Sequence, residues 1–338
     1  MKLSIIIPVY NEREVLPALF VALRHSLEKD FDYEVIFVDD GSTDGSSDIL
    51  RLAAREDSRL KSLHFSRNFG HQAAITAGLD FASGDAIAVM DADLQDPPEL
   101  LPQMVALLNE GYDVVSPQRL TREGESFFKL YTAKTFYWIM RKLVDSRIQD
   151  EVGDFRLFSR KAVTAIRGLR EQHRFMRGMV AWLGFREVIL PYHRKPRLAG
   201  KPKYSLLKMF RFAWTAITSF SALPLRLSVF FGFLVAACGV AFGLYSIYAE
   251  YVLKANVPGW TSLACMNIVF SGVTLVAVGL VGEYVAHIYE EAKGRPLYVV
   301  SDSVNVKVTQ QPQIADAVIL TSENENMYEP AKRTAHRV

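Results

Sequence analysis

Two long runs without a charged residue most constrain what this chain can fold into. They cover residues 227–249 and 255–282, and the second run is most apolar at 262–282. A helix needs about 20 apolar residues to cross the hydrocarbon core of a bilayer, and each run is long enough. Core helices of soluble domains are usually shorter and have a polar face, so a pair of buried core helices is the less favoured alternative. We therefore predict transmembrane helices at about 227–249 and 262–284.

The charges beside these runs predict their orientation. Arg226 precedes the first run, Lys293 and Arg295 follow the second, and the loop between them has only Glu250 and Lys254. By the positive-inside rule, both ends of this hairpin face the cytoplasm. We expect a protein of the cell (inner) membrane with two spans and both termini in the cytoplasm.

The segment directly before the first run has a helical stripe of apolar side chains, with Lys203, Lys208 and Arg211 off the stripe. This pattern is typical of an amphipathic helix in the membrane interface, although a helix packed on a soluble domain is an alternative. The tail is polar from about residue 308 and is predicted to be disordered at its end. The chain is thus divided into a cytoplasmic domain at 1–202, interface helices at 203–224, the hairpin at 225–290 and a cytoplasmic tail at 291–338.

The first 200 residues alternate between β-rich runs and helical patterns. The predicted strands lie at 3–10, 33–39, 60–65, 85–90, 112–116 and 187–193. The predicted helices lie at about 14–29, 45–56, 70–82, 98–110, 126–145, 159–170 and 174–183. Nearly all-apolar strands alternating with helices predict an α/β fold with a mostly parallel sheet, covered on both faces. The formal net charge of +2 indicates no general attraction to nucleic acid.

A pair of acids, Asp91 and Asp93, follows the fourth predicted strand. Ligands of open α/β sheets bind outside the carboxyl ends of the strands. Alternate strand residues point the same way, so both carboxylates can face one spot, and Gln95 could add an amide oxygen. The carboxylates repel unless a positive charge lies between them, and a hard divalent cation suits them. The alternative is a solvated strand end, with Asp96 as the cap of a helix that begins near Pro97.

Three further acids, Glu12, Asp39 and Asp40, follow the first and second predicted strands. In a nucleotide site they could accept hydrogen bonds from ribose hydroxyls and base N–H groups. The chain has no GxxxxGK[ST] motif and no GxGxxG after its first strand, so phosphate binding would need a metal. Two neighbouring residues are predicted to have structural roles instead. Asn11 would start a capping box at the first predicted helix, and Asp44 would be the N-cap of the second.

Four stretches together resemble a known family. They are IIIPVYNE at 5–12, VDDGSTD at 38–44, SRNFGHQAAITAGLD at 66–80 and MDADLQDPPEL at 90–100. They resemble glycosyltransferase family 2, and more narrowly the polyprenyl-phosphate glycosyltransferases, which include dolichol-phosphate mannose synthases and bactoprenol glucosyltransferases. The likeness extends through GDFRLFSRKAV at 153–163, RFMRGMVAWLGFR at 174–186, RLAGKPKYS at 197–205 and GLVGEYVAHIYEEAKGRP at 279–296.

The resemblance implies a GT-A fold and an inverting, metal-dependent transfer of sugar from a nucleotide-sugar to a polyprenyl phosphate. At matching positions it implies that Pro8, Tyr10, Glu12, Asp39, Asp40 and Asp91 line the nucleotide. Asp91, Asp93 and Gln95 would surround Mg²⁺ or Mn²⁺. Arg119, Lys129, Arg156, Arg197, Lys201 and Lys203 would hold the acceptor phosphate. Catalysis would involve Asp93, Asp154, Arg119 and Arg197, with Asp154 orienting the acceptor or taking a residual proton.

The acceptor loop departs from the family pattern. Members usually have Gly-x-Ser-Lys before an aromatic residue, whereas this chain has Gly-Lys-Pro-Lys-Tyr at 200–204. Pro202 replaces the hydroxyl, and Lys201 adds charge toward a lipid phosphate. The likeness of REGES at 122–126 to bactoprenol glucosyltransferases favours UDP-glucose and undecaprenyl phosphate. N-acetylglucosamine, galactose, mannose and aminoarabinose donors stay open.

Two other classes of membrane protein are alternatives to a polyprenyl-phosphate glycosyltransferase. A processive polysaccharide synthase would need a longer channel and a Gln-x-x-Arg-Trp motif, which the chain lacks. A flippase would show charges inside its spans, and here only Glu283, at the end of the second span, is a candidate. Glycines in the spans permit close helix packing and so a homo-oligomer.

Overall fold

The computed structural model describes residues 1–27, 31–120, 152–192, 218, 223–252, 259–306 and 317–319. These residues fall into two compact units. The first contains the described residues up to 192 and those from Arg295 onward. The second contains residue 218 and the described residues from 223 to Gly294.

The first unit is built on one mixed sheet. Its described strands are β1 (Lys2–Val9), β2 (Asp32–Asp39), β3 (Leu60–Phe65), β4 (Ala86–Val89), β5 (Val114–Arg119), β6 (Arg156–Ser159), β7 (Glu187–Tyr192), β8 (Tyr298–Val304) and β9 (Ala317–Ile319). Their order is β7-β5-β6-β4-β1-β2-β3-β8-β9. Five pairs are parallel: β1 with β2, β1 with β4, β2 with β3, β5 with β7, and β8 with β9. The three remaining pairs are antiparallel, so the predicted mostly parallel α/β sheet is confirmed.

Helices cover the sheet near the positions that the sequence predicts. They are α1 (Leu16–Leu27), α2 (Ser46–Glu56), α3 (His71–Phe81), α4 (Leu101–Asn109), α5 (Arg160–Arg167) and α6 (Met176–Leu183). A short 3₁₀ turn, Pro98–Leu100, leads into α4. The helix predicted at 126–145 lies outside the described residues.

The core explains why the central strands are apolar throughout. Ile5, Ile6 and Ile7 are all fully buried, because helices pack on both faces of β1. Helix α3 approaches β1 very closely at Gly78. A Cβ on Gly78 would overlap Cγ2 of Ile6 and lie 3.0 Å from its Cγ1. Only glycine fits at this crossing.

The C-terminal part differs from the sequence prediction. The segment after the second apolar run was expected to be a tail, but Tyr298–Val304 forms β8, antiparallel to β3. The short strand Ala317–Ile319 pairs with β8, so the disorder expected from about residue 308 does not hold at these three residues. The alternation of apolar and polar residues in YVVSDSV is irregular, so the pattern does not predict a strand.

The second unit contains two long helices, α7 (Leu223–Tyr251) and α8 (Trp260–Ala292). Segments Leu223–Tyr245 and Val269–Ala292 are long and apolar enough to cross a membrane, and no part of them is buried within the described residues. Phe233, for example, is 74% exposed. The two predicted helices are therefore present, and within the described part of the chain they are not buried as core helices would be. Most of the predicted interface segment 203–224 lies outside the described residues.

Candidate active site

The loops that follow β1 and β2 are joined by hydrogen bonds at the carboxyl edge of the sheet. The backbone N–H of Asn11 donates to Oγ of Ser42 at 3.0 Å, and that of Thr43 donates to Oδ1 of Asn11 at 2.8 Å. Asn11 has a left-handed backbone with φ of 55°, and helix α1 begins only at Leu16. The capping box predicted at Asn11 is therefore wrong, because its side chain is used by the neighbouring loop.

Asp44 lies one residue before the N-cap of α2, which is Gly45. Its Oδ1 accepts from the backbone N–H of Ser46 at 3.0 Å, and its Oδ2 accepts from that of Arg13 at 3.0 Å. The predicted capping role is thus met in part, and the same carboxylate also ties α2 to the β1–α1 loop. These contacts fix the shape of the first two loops.

Asp39 and Asp40, predicted to line the nucleotide, are both buried at the end of β2. Oδ1 of Asp39 accepts from the N–H of Ser42 at 3.0 Å, and Nδ1 of His64 lies 3.0 Å from its Oδ2. Although burial opposes ionisation, these partners hold the pKa of Asp39 below its usual range. The carboxylate of Asp39 therefore stabilises the loop that follows β2.

Asp40 holds the loop after β3 in a similar way. Its Oδ1 accepts from the backbone N–H of Phe69 at 2.6 Å, and its Oδ2 accepts from that of Gly70 at 3.0 Å. Burial raises the pKa of Asp40. The two loops also touch at Gly41, whose φ is 71° and where a Cβ would lie 2.6 Å from the carbonyl carbon of Arg67. Glycine is required at this position for both reasons.

Asp91 and Asp93 do not lie on a strand. Strand β4 ends at Val89, and both acids belong to the turn that follows. Leu94 has a left-handed φ of 58°, and the N–H of Gln95 donates to Oδ1 of Asp93 at 3.1 Å. The two acids therefore do not alternate along a strand, as predicted, because β4 ends before them; that their carboxylates face one spot stays a prediction. An unusual φ at a non-glycine residue is common in functional loops.

Asp96, considered as a helix cap, has another role. The N-cap of the following 3₁₀ turn is Pro97, without a side-chain cap. Oδ1 of Asp96 instead accepts from the hydroxyl of Tyr192 at 2.9 Å and lies 3.8 Å from Nη2 of Arg119. Burial and Asp96 raise the pKa of Tyr192 to about 12. The acidic turn is thus linked to the ends of β5 and β7, where Arg119 and Tyr192 lie.

Asp154 accepts two hydrogen bonds and has a third nitrogen close by, from residues that are not among the predicted site residues. Nε of Arg177 donates to its Oδ1 at 3.1 Å, and Nε2 of Gln72 donates to its Oδ2 at 3.1 Å. Nε2 of His71 lies 3.4 Å from the same Oδ2 and 3.6 Å from Oδ1 of Asp91. His71 therefore lies between the acidic turn and Asp154.

The position of two of these residues in the chain, His71 and Gln72, is a usable signal. His71 and Gln72 begin α3, directly after β3, where the rule on strand ends places ligand contacts. Arg177 lies in the first turn of α6, which no strand precedes. Only the fold brings Arg177 to Asp154.

The electrostatics of the site follow from this crowding. Burial and the neighbouring Asp96, Asp154 and Asp93 raise the pKa of Asp91 to about 6. Burial alone would lower the pKa of His71, but Asp154 and Asp91 raise it to about 9. Burial alone would raise the pKa of Asp154, yet Arg177 and His71 hold it well below its usual range.

The donor set fits a divalent cation bound with a phosphate-bearing ligand. Among the described residues no group of three His, Cys, Asp or Glu side chains is arranged to hold a metal ion. Burial, followed by the nearby carboxylates of Asp96, Asp154 and Asp93, raises the pKa of Asp91, and a divalent cation would offset the cost of its charge. Mg²⁺ usually takes one or two carboxylates and completes its shell with water and phosphate oxygens. Asp91 and Asp93 would supply those carboxylates.

The remaining predicted residues lie in different settings. Tyr10 is 41% exposed and Glu12 is half-buried, whereas Pro8 is buried in β1 opposite Val38. Arg156 is 3% exposed, and its Nη1 lies 3.8 Å from Oε1 of Glu187. The structure does not bring Arg156 to the surface. Lys129, Arg197, Lys201 and Lys203 lie outside the described residues.

Comparison with known proteins gives one matching family profile, described as glycosyl transferase family 2, over residues 4–167. Among curated proteins, the chain is 44% identical over 305 residues to an uncharacterized glycosyltransferase, YkcC, of Bacillus subtilis, with 90% of this chain and 94% of the relative covered. It is 38% identical over 304 residues to the SfII prophage-derived bactoprenol glucosyl transferase of Shigella flexneri, with 90% of this chain and 98% of the relative covered.

Among solved structures, a similar chain is the mannosyltransferase PcManGT from Pyrobaculum calidifontis in complex with GDP-Man and Mn²⁺. The match has a TM-score of 0.42 at 17% identity and covers 82% of this chain and 86% of the other.

Proposed function

The chain belongs to glycosyl transferase family 2, and from this premise we propose that it transfers glucose from UDP-glucose to undecaprenyl phosphate. It is a glycosyltransferase, and its mostly parallel sheet with helices on both faces is of the expected GT-A type. The predicted resemblance to polyprenyl-phosphate glycosyltransferases is confirmed by relatives named bactoprenol glucosyl transferase.

One observation carries the proposal. The likeness to a bactoprenol glucosyl transferase extends over 98% of that relative and 90% of this chain. It therefore includes more than the sugar-transfer domain, since the family profile ends at residue 167. A relative that is similar along nearly its whole length is a better guide to the acceptor than one that matches only the nucleotide-binding half.

The donor would lie at the carboxyl edge of the central strands. Tyr10 and Glu12 follow β1 there and keep some solvent exposure, so they are the residues of choice for direct contact with the nucleotide. Asp39 and Asp40 would act by holding the loops after β2 and β3 in shape, because their oxygens accept hydrogen bonds from those loops. Asp91 and Asp93 face the diphosphate in this proposal.

Mg²⁺ or Mn²⁺ held by Asp91 and Asp93, with Gln95 nearby, would supply charge neutralisation for the departing nucleoside diphosphate. The protein supplies the rest of the stabilisation through fixed charges. Arg119 lies at the end of β5 with its Nε 3.3 Å from the hydroxyl of Tyr192. Tied to Tyr192 and Asp96, its guanidinium is pre-organised to contact a phosphate.

The acceptor would be an anion already able to attack. A phosphate monoester carries about 1.5 to 2 negative charges at pH 7, so its oxygen can attack the anomeric carbon without a strong base. Direct displacement inverts the configuration and gives a β-linked product from an α-linked donor. Arg197, Lys201, Lys203 and Lys129 stay predicted acceptor contacts, whereas Arg156 is buried beside Glu187 and is not included.

The two apolar helices would place the reaction at a membrane. We propose that α7 and α8 span the bilayer, with the sheet and both termini in the cytoplasm and 203–224 in the interface. The segment after α8 then contributes two strands to the cytoplasmic sheet, so the domain at 1–202 is completed by residues from the C-terminal part. A lipid phosphate lies at headgroup depth, where such an arrangement can reach it.

The test is a transfer assay with the purified full-length protein in detergent. Undecaprenyl phosphate is supplied with radiolabelled UDP-glucose, UDP-N-acetylglucosamine, UDP-galactose, GDP-mannose or an aminoarabinose donor, each with Mg²⁺ or with EDTA. We expect label in the lipid phase from UDP-glucose only, and none with EDTA.

The matched variants are Asp93→Asn in the acidic turn and Asp48→Asn, whose side chain is 85% exposed on α2. Asp93→Asn should lose at least about 100-fold in rate, whereas Asp48→Asn should match the wild type. If a different donor labels the lipid, the sugar of that donor replaces glucose in the proposal. Failure of every donor to label the lipid, in protein that still binds UDP, would refute the lipid acceptor.

A further inference from the structure

Asp154 is less exposed than its two basic neighbours, Arg177 and His71. The side chain of Asp154 is 13% exposed, that of Arg177 is 25% exposed and that of His71 is 41% exposed. Arg177 and His71 are therefore more accessible to a reactant than the carboxylate of Asp154 is.

The hydrogen bonds around Asp154 all run in one direction. Arg177 donates to Oδ1, Gln72 donates to Oδ2, and Nε2 of His71 is directed at Oδ2 from 3.4 Å. Donors to a carboxylate favour its charged form. An acid held this way is a good partner for cations and a poor acceptor for a proton.

Gln72 links Asp154 to the start of α6, the helix that carries Arg177. While its Nε2 donates to Asp154, its Oε1 accepts from the backbone N–H of Met176 at 3.0 Å. Met176 is the first residue of α6, and Arg177 is the second. One amide side chain therefore sets the distance between α3, Asp154 and the helix that carries Arg177.

His71 also reaches the acidic turn. Its Nε2 lies 3.6 Å from Oδ1 of Asp91, whose side chain is 35% exposed. The imidazole therefore stands where the diphosphate side of the site meets the side of Asp154. A phosphate group brought to Asp91 would come close to His71 and Arg177.

We propose that Asp154 is the counter-ion of Arg177, and that Arg177 and the adjacent His71 form a pair that binds phosphate oxygens of a reactant during sugar transfer. The inference deepens the proposed function and rests on it. The phosphate belongs either to the nucleoside diphosphate or to the lipid acceptor, and both present the same oxygens to a guanidinium. Gln72 is a positioning residue for the pair.

The bond changes are consistent with an acid that takes no proton. A bond forms between a phosphate oxygen of the acceptor and the anomeric carbon, and the bond from that carbon to the diphosphate oxygen breaks. The electron pair leaves with the nucleoside diphosphate. Because the acceptor is already ionised, the step balances without proton transfer to Asp154.

The experiment compares Arg177→Gln, Arg177→Lys, His71→Gln and Asp154→Asn in full-length protein in detergent. Two quantities are measured: the Kd for UDP with Mg²⁺ by calorimetry, and the KM for undecaprenyl phosphate at saturating UDP-glucose. Arg186→Gln is the control, because Arg186 is exposed and its guanidinium lies 4.5 Å from the centre of the Tyr112 ring.

Arg177→Gln, His71→Gln and Asp154→Asn should each raise one of these constants at least tenfold, with Arg177→Lys partly restored and Arg186→Gln unchanged. A raised acceptor KM with unchanged UDP Kd assigns the pair to the lipid phosphate. A raised UDP Kd with unchanged KM assigns it to the diphosphate. The proposal is overturned if both constants stay within twofold of wild type, including the case in which Asp154→Asn lowers only kcat, as loss of a general base would.

Two provisions keep this test separate from that of the proposed function. Arg177→Lys retains a charge opposite Asp154 and decides the comparison if Arg177→Gln does not fold. If the wild-type protein forms no sugar-linked lipid, the proposed function fails. The Kd of UDP and its displacement by inorganic phosphate still decide the inference, because both ligands carry phosphate oxygens.

Discussion

The hydroxyl of Tyr298 donates a hydrogen bond to Oδ2 of Asp80 at 2.7 Å, across 218 residues of chain. Tyr298 begins β8, the strand that follows the second long helix, and Asp80 lies near the end of α3. Nη1 of Arg170 lies 3.0 Å from both oxygens of the same carboxylate. Helix α3 thus begins with His71 and Gln72 in the candidate active site and contacts the C-terminal strand near its other end.

Replacing Tyr298 with Phe should destabilise the protein moderately. The side chain is fully buried, and Asp80 would keep its ion pair with Arg170, so the expected loss is about 1 to 2 kcal/mol. At roughly 2 to 4 °C per kcal/mol, Tm in detergent should fall by about 2 to 8 °C. The control is Tyr289→Phe on α8, where the side chain is 62% exposed and no loss is expected. Equal effects of the two changes would contradict the importance of the Asp80 contact.

Adding a methyl group at Gly78 should strain the contact between α3 and β1. The new Cβ would overlap Cγ2 of Ile6, which is fully buried and cannot move aside, so Gly78→Ala should lose about 1 to 3 kcal/mol. Thermal unfolding of Gly78→Ala, Ile6→Ala and the double variant measures the coupling. The methyl group should be less damaging in the Ile6→Ala background. Strict additivity of the two changes would disprove the steric clash.

Glu34 should make stability depend on acid pH. Its side chain is 2% exposed and lies 2.7 and 2.8 Å from Nζ of Lys2 and Lys61. Burial alone would raise its pKa, but Lys2 and Lys61 hold it well below its ordinary value of 4.5. The stabilisation is therefore complete above about pH 4.5 and is lost as the pH falls further and the carboxylate is protonated in the folded state.

Glu34→Gln should accordingly be destabilising by about 3 kcal/mol at pH 7.5, because two lysines lose a buried counter-ion. The difference in Tm between variant and wild type should shrink as the pH is lowered below 4.5. Asp48→Asn, at an exposed site, is the control at each pH. A difference that does not change with pH would show that the charge of Glu34 is not the cause.

Asp91→Asn should stabilise the metal-free protein while it removes activity. Three other carboxylates, those of Asp96, Asp154 and Asp93, repel the charge of Asp91 in the absence of a cation. Removing that charge should raise Tm in EDTA by a few degrees, and the transfer rate should fall by at least about 100-fold. With saturating Mg²⁺ and UDP the wild type should become the more stable of the two. A lower Tm of the variant in EDTA would contradict the predicted repulsion.

The pairing of α7 with α8 should depend on one glycine. A Cβ on Gly239 would lie 3.2 Å from Cζ of Phe270, whereas a Cβ on Gly243 would meet nothing within 4 Å among the described residues. Gly239→Leu should therefore lower Tm in detergent by several degrees, and Gly243→Leu should leave it near the wild-type value. If both changes act alike, the two helices do not pack at Gly239.

The fold was predictable where one local signal sufficed. Apolar runs such as Ile5–Ile6–Ile7 in β1, separated by helical patterns, predict the parallel sheet, and the two uncharged runs predict α7 and α8. Strand β8 could not be predicted, because its YVVSDSV pattern lacks a regular alternation and the strand is defined by its pairing with β3. Pairing over more than 200 residues leaves no local trace.

The site was predictable to the level of its loops. The rule on strand ends located the turn with Asp91 and Asp93, but the two acids do not alternate along a strand, because β4 ends at Val89. Asp39 and Asp40 were expected to face a ligand, and their inward hydrogen bonds to neighbouring loops depend on tertiary structure. Arg177 could not be chosen from sequence, since only the packing of α6 brings it to Asp154.

The place of β8 has a consequence for how the protein is made. Strand β3 is complete by residue 65, but its partner on one side, β8, begins at residue 298. Domains fold as units while the chain leaves the ribosome, and strand partners distant in sequence pair late. Both apolar helices have therefore been synthesised before β8 can pair with the β3 edge of the sheet. The hairpin would then enter a bilayer before the domain that carries out the chemistry is complete.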